Sequence, residues 1–248
     1  MRKALLISNP GEAGEERYCD GVYVDVKNYI DFLTSPLGGS WYKSEIEHLD
    51  RPTSQQLRQK ISSIPNLAYT MVIFCGHGYF SSNARSTILE LRRGEEIDSL
   101  DLRINSSKRT ILLDCCRRVH YEQLLERAMK AAICFAEPQL NAIMCRDYYD
   151  KCIDKCGNGI IVGHACQIGE SAGENASIGG YYSSSLFSSA DNWRNSTRPD
   201  LSQYYYSRSI VNIHNDASTL VTRLSGGNQN PNLEKPRSEP YFPFAVMA

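Results

Sequence analysis

The sequence predicts an α/β fold in which a doubly wound, mostly parallel sheet is covered by helices on both faces. Two observations carry this prediction. Short apolar segments recur along the chain, each ending at Gly, Ser, Asn, Asp or Cys, as buried parallel strands do. Amphipathic patterns with helical spacing lie between them, and an alternation of strands and helices favours a parallel sheet with helices on both sides.

The individual elements follow from the same patterns. The predicted strands are residues 4–7, 71–74, 110–113 and 159–162, with a weaker, alternating candidate at 44–49. The predicted helices are residues 21–33, a segment opening at Thr53 and running through Ile61, and residues 121–132, 140–155, 181–193 and 201–224. Residues 225–240, polar with Pro and Gly, are predicted to form a loop, and the apolar residues 241–246 a final strand or a segment packed on the sheet edge.

Length and composition describe an ordinary soluble protein. The chain has 248 residues, 42% apolar and 22% charged, with a formal net charge of −1, so we expect a single domain and no nucleic-acid partner. No apolar run is long enough to cross a bilayer, and the apolar stretch after Met1 is too short for a signal peptide. The expected location is therefore cytoplasmic, without a membrane partner.

The nine cysteines are predicted to be free thiols, because their number is odd and their spacing forms no regular framework. Cys152 and Cys156 lie one helical turn apart, which would suit two metal ligands. No second Cys/His pair follows at a zinc-finger distance. We therefore predict no metal site.

Reactive side chains follow two of the predicted strands. Strand 71–74 runs into a Cys-Gly-His-Gly motif at residues 75–78, and strand 110–113 runs into Asp-Cys-Cys at residues 114–116. Ligands of an open parallel sheet bind outside the carboxyl ends of its strands. A thiol at neutral pH needs a base such as imidazole to become a nucleophile. If the two strands are neighbours, His77 and Cys116 can form that pair, although either motif alone is a weak signal.

Taken together, these motifs resemble the caspase and metacaspase cysteine peptidases, and most closely their bacterial caspase-like or metacaspase-like members. Gly21, Val22 and Asp25 after the first strand resemble the family's G-C-x-N-D segment. Residues 75–78 resemble S-G-H-G, and residues 114–116 resemble D-x-C, which makes Cys116 rather than Cys115 the nucleophile. The resemblance implies a caspase-like fold, with a part similar to the large subunit over about residues 1–140 and one similar to the small subunit over about 157–248.

The later part of the chain is similar to the family's small-subunit segment. Residues 165–174 resemble a strand that runs into an acidic, glycine-bearing loop, and Gly179-Gly180 precedes the next helical pattern. The chain also departs from the family. Residues 117–119, Arg-Arg-Val, stand where metacaspases have H-S-G, and the caspase signature Q-A-C-x-G is absent.

The resemblance also implies a substrate pocket for a basic residue. Relatives that cleave after Asp have cationic groups in the first pocket (S1), whereas metacaspase-like relatives that cleave after Arg or Lys have carboxylates there. Position by position, the resemblance places Asp25 and Asp114 in the pocket with Cys75 beside them, and Glu170 and Glu174 are further candidates. A buried carboxylate pair is unfavourable unless a cation joins it. We therefore expect cleavage of proteins or peptides after Arg or Lys.

In the implied mechanism the Cys116 thiolate forms an acyl-enzyme, His77 transfers protons, and the backbone N–H groups of Gly78 and Cys116 hold the oxyanion. This chemistry needs no cofactor. Calcium activation, known in some relatives, and a regulatory activator protein both stay open. The alternatives are a catalytically silent caspase-like interaction domain, and a redox switch at Cys115 and Cys116 on a flavodoxin-like sheet. The last is disfavoured because the chain has no Cys-x-x-Cys and no phosphate-binding glycine loop after the first strand.

Other polar and aromatic residues are predicted to serve structure rather than chemistry. Surface or packing roles are expected for His48, His120, His164 and His214. The tyrosines at residues 204–206 are expected on a helix, with one side in the core. Arg117 and Arg118 either lower the thiol pKa by their charge or are solvated surface residues.

Overall fold

The structure is a computed structural model of the full chain, and it describes residues 1–118, 140–197, 200–202 and 204–248. The helix predicted at residues 121–132 and the role predicted for His120 lie outside the described residues.

The described elements alternate as the sequence predicts, with additional short strands. The strands are β1 (Arg2–Asn9), β2 (Ile46–Asp50), β3 (Tyr69–Gly76), β4 (Gly78–Ser81), β5 (Ser86–Arg92), β6 (Glu95–Asp98), β7 (Lys108–Asp114), β8 (Gly159–His164), β9 (Glu174–Asn175), β10 (Gly179–Gly180), β11 (Tyr206–Ser209), β12 (Asn232–Glu234) and β13 (Pro243–Met247). The α-helices are α1 (Gly21–Thr34), α2 (Ser54–Ser63), α3 (Ala142–Lys155), α4 (Tyr181–Thr197) and α5 (Ile210–Leu224).

Six strands form the central sheet in the order β12-β8-β7-β3-β1-β2. The pairs from β2 to β8 are parallel, and β12 is antiparallel to β8. Strands β3 and β7 are direct neighbours, with Cys75 opposite Asp114 in the register. The carboxyl ends of β3 and β7 therefore meet at one edge of the sheet. The mostly parallel sheet, with helices between its strands in sequence, confirms the predicted α/β class.

The strands are apolar on consecutive positions because both faces of the sheet are buried. In β1, Ala4 and Leu6 pack on one face with helices α1, α3, α4 and α5, whereas Leu5 and Ile7 pack on the other. That other face is covered by α2 and by a three-stranded antiparallel sheet, β4-β5-β6. The small sheet was not predicted, because its strands are short and none has the run of consecutive apolar residues that marks a buried parallel strand.

The C-terminal third differs from the prediction at three places. The helix predicted over 201–224 begins only at Ile210, because Ser209 caps α5 by accepting a hydrogen bond from the Asn212 N–H at 3.2 Å. The tyrosines at 204–206, expected on that helix, lie before and at the start of β11 instead. Strand β13 exists as predicted, but it pairs with β11 rather than with the central sheet. The predicted loop 225–240 contains β12, which pairs with the edge strand β8.

The side chains of the three described histidines outside the strand-end motifs pack and hydrogen-bond within the fold. Their contacts are His48 Nε2 with Ser8 Oγ at 2.8 Å, His164 Nε2 with Glu234 Oε1 at 3.3 Å, and His214 Nδ1 with Tyr182 Oη at 2.8 Å. Within the described ranges, no helix combines the length and apolar character needed to traverse a bilayer.

Candidate active site

The two strand-end motifs lie side by side. His77 follows the last residue of β3, and Cys116 follows β7 by two residues. Gly76, between the strand and His77, has φ of 151°, and a Cβ there would lie 2.4 Å from the carbonyl oxygen of Asn9. A side chain at this position would therefore clash with the end of β1, so the glycine lets β3 turn toward His77 while packed against its neighbour.

The Cys116 thiol is held by the loop that follows β8. Its Sγ accepts a hydrogen bond from the Ala172 N–H at 3.3 Å, and the S–H donates to the Ala172 carbonyl at 3.7 Å. Burial raises the pKa of Cys116, and hydrogen bonds from the Ala172 backbone and the Ser171 side chain oppose this rise. The thiol is thus protonated at neutral pH, with donors beside it that would stabilise a thiolate.

The His77 imidazole is held by the loop that follows β1. Its Nε2 lies 3.3 Å from the Pro10 carbonyl oxygen and 3.7 Å from the Cys19 Sγ. Burial lowers the pKa of His77, and the nearby Arg17 charge lowers it further. A neutral imidazole that can take up a proton is the form that a general base requires.

No hydrogen bond joins His77 to Cys116 in this arrangement, although both are described residues. Each side chain is bonded to its own loop, the base to the Pro10 segment and the thiol to Ala172. Catalytic hydrogen bonds are often long or absent in the free state of an enzyme and form when substrate binds. Pairing of the two groups therefore requires one or both side chains to leave their present partners.

Two buried carboxylates lie beside this pair, at the amino end of α4. Asp114 Oδ2 accepts hydrogen bonds from Ser183 N at 3.0 Å and Ser183 Oγ at 2.6 Å. Asp25 Oδ2 accepts from Gly180 N at 2.8 Å, while Asp25 Oδ1 is buried without a hydrogen-bond partner. Asp25 and Asp114 are only 2% and 7% exposed. The backbone N–H donors and the positive dipole end at the start of α4 offset part of the cost of burying these two acidic groups.

The electrostatics of these carboxylates favour a bound cation. Burial raises the pKa of Asp25, and the charge of Asp114 raises it further. Burial likewise raises the pKa of Asp114, against the hydrogen bonds from Ser183. Glu174 lies in the same field: burial raises its pKa to about 7, although the Gly21 N–H donates to its Oε2 at 3.0 Å. Two or three acidic groups that resist ionisation together will ionise when a cation enters.

A glycine pair covers both carboxylates. A Cβ on Gly179 would lie 2.0 Å from Asp25 Oδ1, and one on Gly180 would lie 2.4 Å from Asp114 Oδ2. The backbone of β10 therefore packs directly on the acidic groups, and a side chain at either glycine would clash with them. Gly179 also has φ of 87°, a backbone conformation that favours glycine. The β10 backbone therefore leaves no space on this side for another side chain next to the two carboxylates.

The remaining predicted site residues have different surroundings. Cys75 is fully buried, and burial together with the Asp25 and Asp114 charges raises its pKa well above the usual value. Gly78 begins β4, where a Cβ would lie 2.9 Å from Cys115 Sγ. Glu170 is not joined to the acidic cluster by any hydrogen bond among the described residues. Its Oε1 and Oε2 accept from Asn230 Nδ2 at 2.8 Å and Asn230 N at 2.7 Å.

Several residues of the site were not predicted from the sequence. Cys19 touches the His77 ring, and burial raises the pKa of this thiol to about 12. Ala172 binds the Cys116 thiol through its backbone, which no side-chain pattern reveals. Ser183, in the first turn of α4, could have been found as a small polar residue at the start of a helix, where anions and their partners collect.

The first of the two arginines that follow Cys116 has a structural role that the sequence did not indicate. Arg117 is 5% exposed rather than solvated, and its Nε donates to Thr87 Oγ1 at 3.1 Å. The charge of Arg118 lowers the pKa of Cys116, but less than burial raises it. In the parts of the chain with described side chains, no three His, Cys, Asp or Glu residues are arranged to hold a metal ion.

Comparison with known proteins identifies the family and a similar fold. The family model for the caspase domain matches residues 1–242. Caspase-1 from Spodoptera frugiperda has a similar fold, with a TM-score of 0.58 and 11% sequence identity over 94% of this chain and 85% of that one. No curated protein sequence matches. On the match to the family model, which spans nearly the whole chain, this protein belongs to the caspase-domain family of cysteine peptidases.

Proposed function

We propose that the chain is a cysteine endopeptidase that cleaves proteins or peptides after Arg or Lys. The family supports the peptidase class. The observation that carries the basic specificity is the buried, unpartnered Oδ1 of Asp25, which lies beside a second buried carboxylate, Asp114, at the strand end that leads to Cys116. A guanidinium or ammonium group would supply the missing hydrogen bond and neutralise the repulsion between the two carboxylates.

The proposed reaction uses the chain's own groups in two steps. His77 accepts the Cys116 proton, and the thiolate attacks the carbonyl carbon of the basic residue to form a tetrahedral oxyanion. The N–H groups of Gly78 and Cys116 stabilise that oxyanion. Collapse breaks the C–N bond, the imidazolium protonates the leaving amine, and water then hydrolyses the thioester to release the acid. No cofactor takes part in these steps.

Productive binding requires a rearrangement of residues 171–180. This segment holds the thiol through Ala172, covers Asp25 with Gly179 and covers Asp114 with Gly180. Its withdrawal would uncover the carboxylates and free the thiol to meet His77. We propose that a basic substrate side chain drives this movement, since it interacts favourably only with the uncovered carboxylates.

A second candidate function is a catalytically silent caspase-like interaction domain. One observation favours it: His77 and Cys116 are each hydrogen-bonded to their own loops and not to each other. The two candidates differ in whether substrate can bring the pair together, and turnover decides between them.

The test is hydrolysis of matched fluorogenic peptides with Arg, Lys, citrulline or Asp before the cleaved bond, by the protein and by Cys116→Ala. We expect the Arg and Lys peptides to be cleaved much faster than the citrulline peptide, the Asp peptide not to be cleaved, and Cys116→Ala to cleave none of them. Citrulline is the matched control, because it is nearly isosteric with Arg but uncharged. Efficient cleavage after Asp would overturn the proposed pocket. No cleavage of any peptide, with and without calcium, would favour the silent domain.

A further inference from the structure

A small cationic cavity lies on the opposite face of the sheet from α4, next to the residue that follows the nucleophile. Its volume is about 60 Å³. It is enclosed by β5, the turn after β6, and strands β7, β8 and β12. A single water needs roughly 10–15 Å³ by the same measure, so the cavity has room for a few waters or one small ion. The charged residues that line it are Arg85, Arg103, Arg117 and Glu234.

The buried arginine of this cavity forms no ion pair with a described residue, although the charge of Glu234 in the same lining acts on it. Arg117 donates from Nε to Thr87 Oγ1 at 3.1 Å and from Nη1 to the Cys166 carbonyl at 3.4 Å, and its guanidinium lies 5.6 Å from the Phe80 ring centre. No carboxylate of the described residues forms an ion pair with it. A buried, unpaired charge is costly, and burial lowers the Arg117 pKa accordingly. The missing partner is an anion.

A second lining residue has an unused polar atom. His164 is 4% exposed, and its Nδ1 is buried without a hydrogen-bond partner, while its Nε2 contacts Glu234 Oε1 at 3.3 Å. Glu234 is the one acidic residue of the lining, and its side chain is 60% exposed, so it can turn toward solvent. Arg85 and Arg103 are exposed and form no ion pair with a described residue. The formal charge of the lining is therefore positive.

We propose that this cavity binds a tetrahedral oxyanion of the phosphate class, with the Arg117 guanidinium as its buried anchor and Arg85 and Arg103 at its mouth. A planar guanidinium forms paired, charge-assisted hydrogen bonds to phosphate oxygens, which a chloride ion cannot accept in the same geometry. The hydroxyl of a monohydrogen phosphate would donate a hydrogen bond to Nδ1 of a neutral His164, and the Nδ1–H of a protonated His164 would instead donate to a phosphate oxygen. The volume admits the phosphoryl group alone, so any larger part of a phosphate ester would remain outside.

The site is independent of the proposed peptidase activity, and its test measures binding alone. Isothermal titration of the full chain with inorganic phosphate, in a buffer free of oxyanions, is expected to show one saturable site and a rise in the unfolding temperature. Glycerol phosphate in a parallel titration distinguishes an ester, which should bind if the phosphoryl group alone enters, from free phosphate. Similar affinities would indicate that the site accepts phosphate esters, whereas binding of free phosphate alone would restrict the proposal to the inorganic ion.

Three variants test the residues. Arg117→Met removes the buried charge but keeps a similar chain, and it should weaken phosphate binding by about tenfold or more, since a hydrogen bond to a charged group contributes more than about 1.4 kcal/mol. The double variant Arg85→Ala/Arg103→Ala changes only exposed side chains and should also weaken binding. Arg223→Ala, an exposed arginine on α5 at the other face, is the control and should bind normally.

Two results would overturn the proposal. One is the absence of saturable phosphate binding by the unmodified chain. The other is full phosphate affinity in a folded Arg117→Met variant, because the phosphate would then bind elsewhere on the chain and the site would hold an adventitious ion only. Loss of binding in Arg117→Met counts in support only if its circular dichroism spectrum and unfolding midpoint match those of the unmodified chain in oxyanion-free buffer.

Discussion

Replacement of one buried carboxylate by its neutral isostere, Asp25→Asn, isolates the charge of the proposed pocket. The asparagine side-chain oxygen can still accept the 2.8 Å hydrogen bond from Gly180 N, so the packing under the glycine pair is kept. Only the charge that would meet a substrate cation is lost. The change therefore separates the recognition of charge from the shape of the pocket.

The expected loss can be estimated from the environment of Asp25. Unit charges about 4 Å apart interact by about 4 kcal/mol at an effective dielectric constant near 20, and breaking a buried charged pair typically costs about 3–5 kcal/mol. The raised pKa of Asp25 reduces the net gain, because part of the attraction is spent on ionising the carboxyl group. We therefore take the lower end, about 3 kcal/mol, which corresponds to roughly a hundredfold in kcat/KM for the Arg peptide.

The assay compares kcat/KM for the Arg and citrulline peptides in the unmodified protein and in Asp25→Asn. The Arg value should fall by at least about a hundredfold, and the citrulline value should change little. The free energy of unfolding should stay within about 1 kcal/mol or rise, because a buried charge that repels Asp114 is removed. An unchanged ratio of Arg to citrulline kcat/KM would refute the reasoning, whether both values stay the same or both fall by the same factor.

Three further predictions concern the catalytic pair and the acidic cluster. Cys116→Ala should abolish turnover, whereas Cys115→Ala, at a fully buried thiol packed on Gly78, should keep most of the activity; turnover by Cys116→Ala would contradict the assignment. His77→Ala should lose nearly all of kcat with little change in KM, and steady-state kinetics with unchanged kcat would remove His77 from the mechanism. The third prediction concerns the pH dependence of stability, which Glu174 should influence because its pKa is raised from the ordinary value of 4.5 to about 7. Between these two values the native state binds the proton more tightly than the unfolded chain, so the free energy of unfolding should fall as pH rises through the window. Glu174→Gln should flatten that fall in urea titrations, whereas exposed Glu16→Gln should not, and an unchanged slope in Glu174→Gln would contradict the prediction.

The sequence predicts the parts of the fold that have strong local signals. The consecutive apolar residues of β1, β3, β7 and β8 need burial on both faces, and the Thr53 capping box begins α2 where expected. The sequence also indicated that β3 and β7 are neighbours. Because they are parallel, His77 and Cys116, which follow them, lie at the same edge of the sheet. Asp25 and Asp114 are brought together as the family resemblance implies.

The parts that were missed depend on tertiary contacts rather than on local pattern. The small sheet of β4, β5 and β6 gains its burial only by packing on the central sheet. The helix predicted at 201–224 begins only at Ile210, because the residues before it form β11. That strand pairs with β13, about forty residues further along the chain. The contacts of Cys19 with His77 and of Ala172 with Cys116 join loops that are far apart in sequence. No periodicity encodes them.

The central claim, that Cys116 is a nucleophile served by a pocket for basic side chains, has a direct chemical test. A peptide acyloxymethyl ketone alkylates an active-site thiolate only when its own side chain occupies the first pocket. The protein should be incubated with the Arg form and with the matched Asp form, and then analysed by intact mass and peptide mapping. The account predicts one adduct, on Cys116, from the Arg reagent and none from the Asp reagent. An adduct on another cysteine, or equal labelling by both reagents, would contradict it.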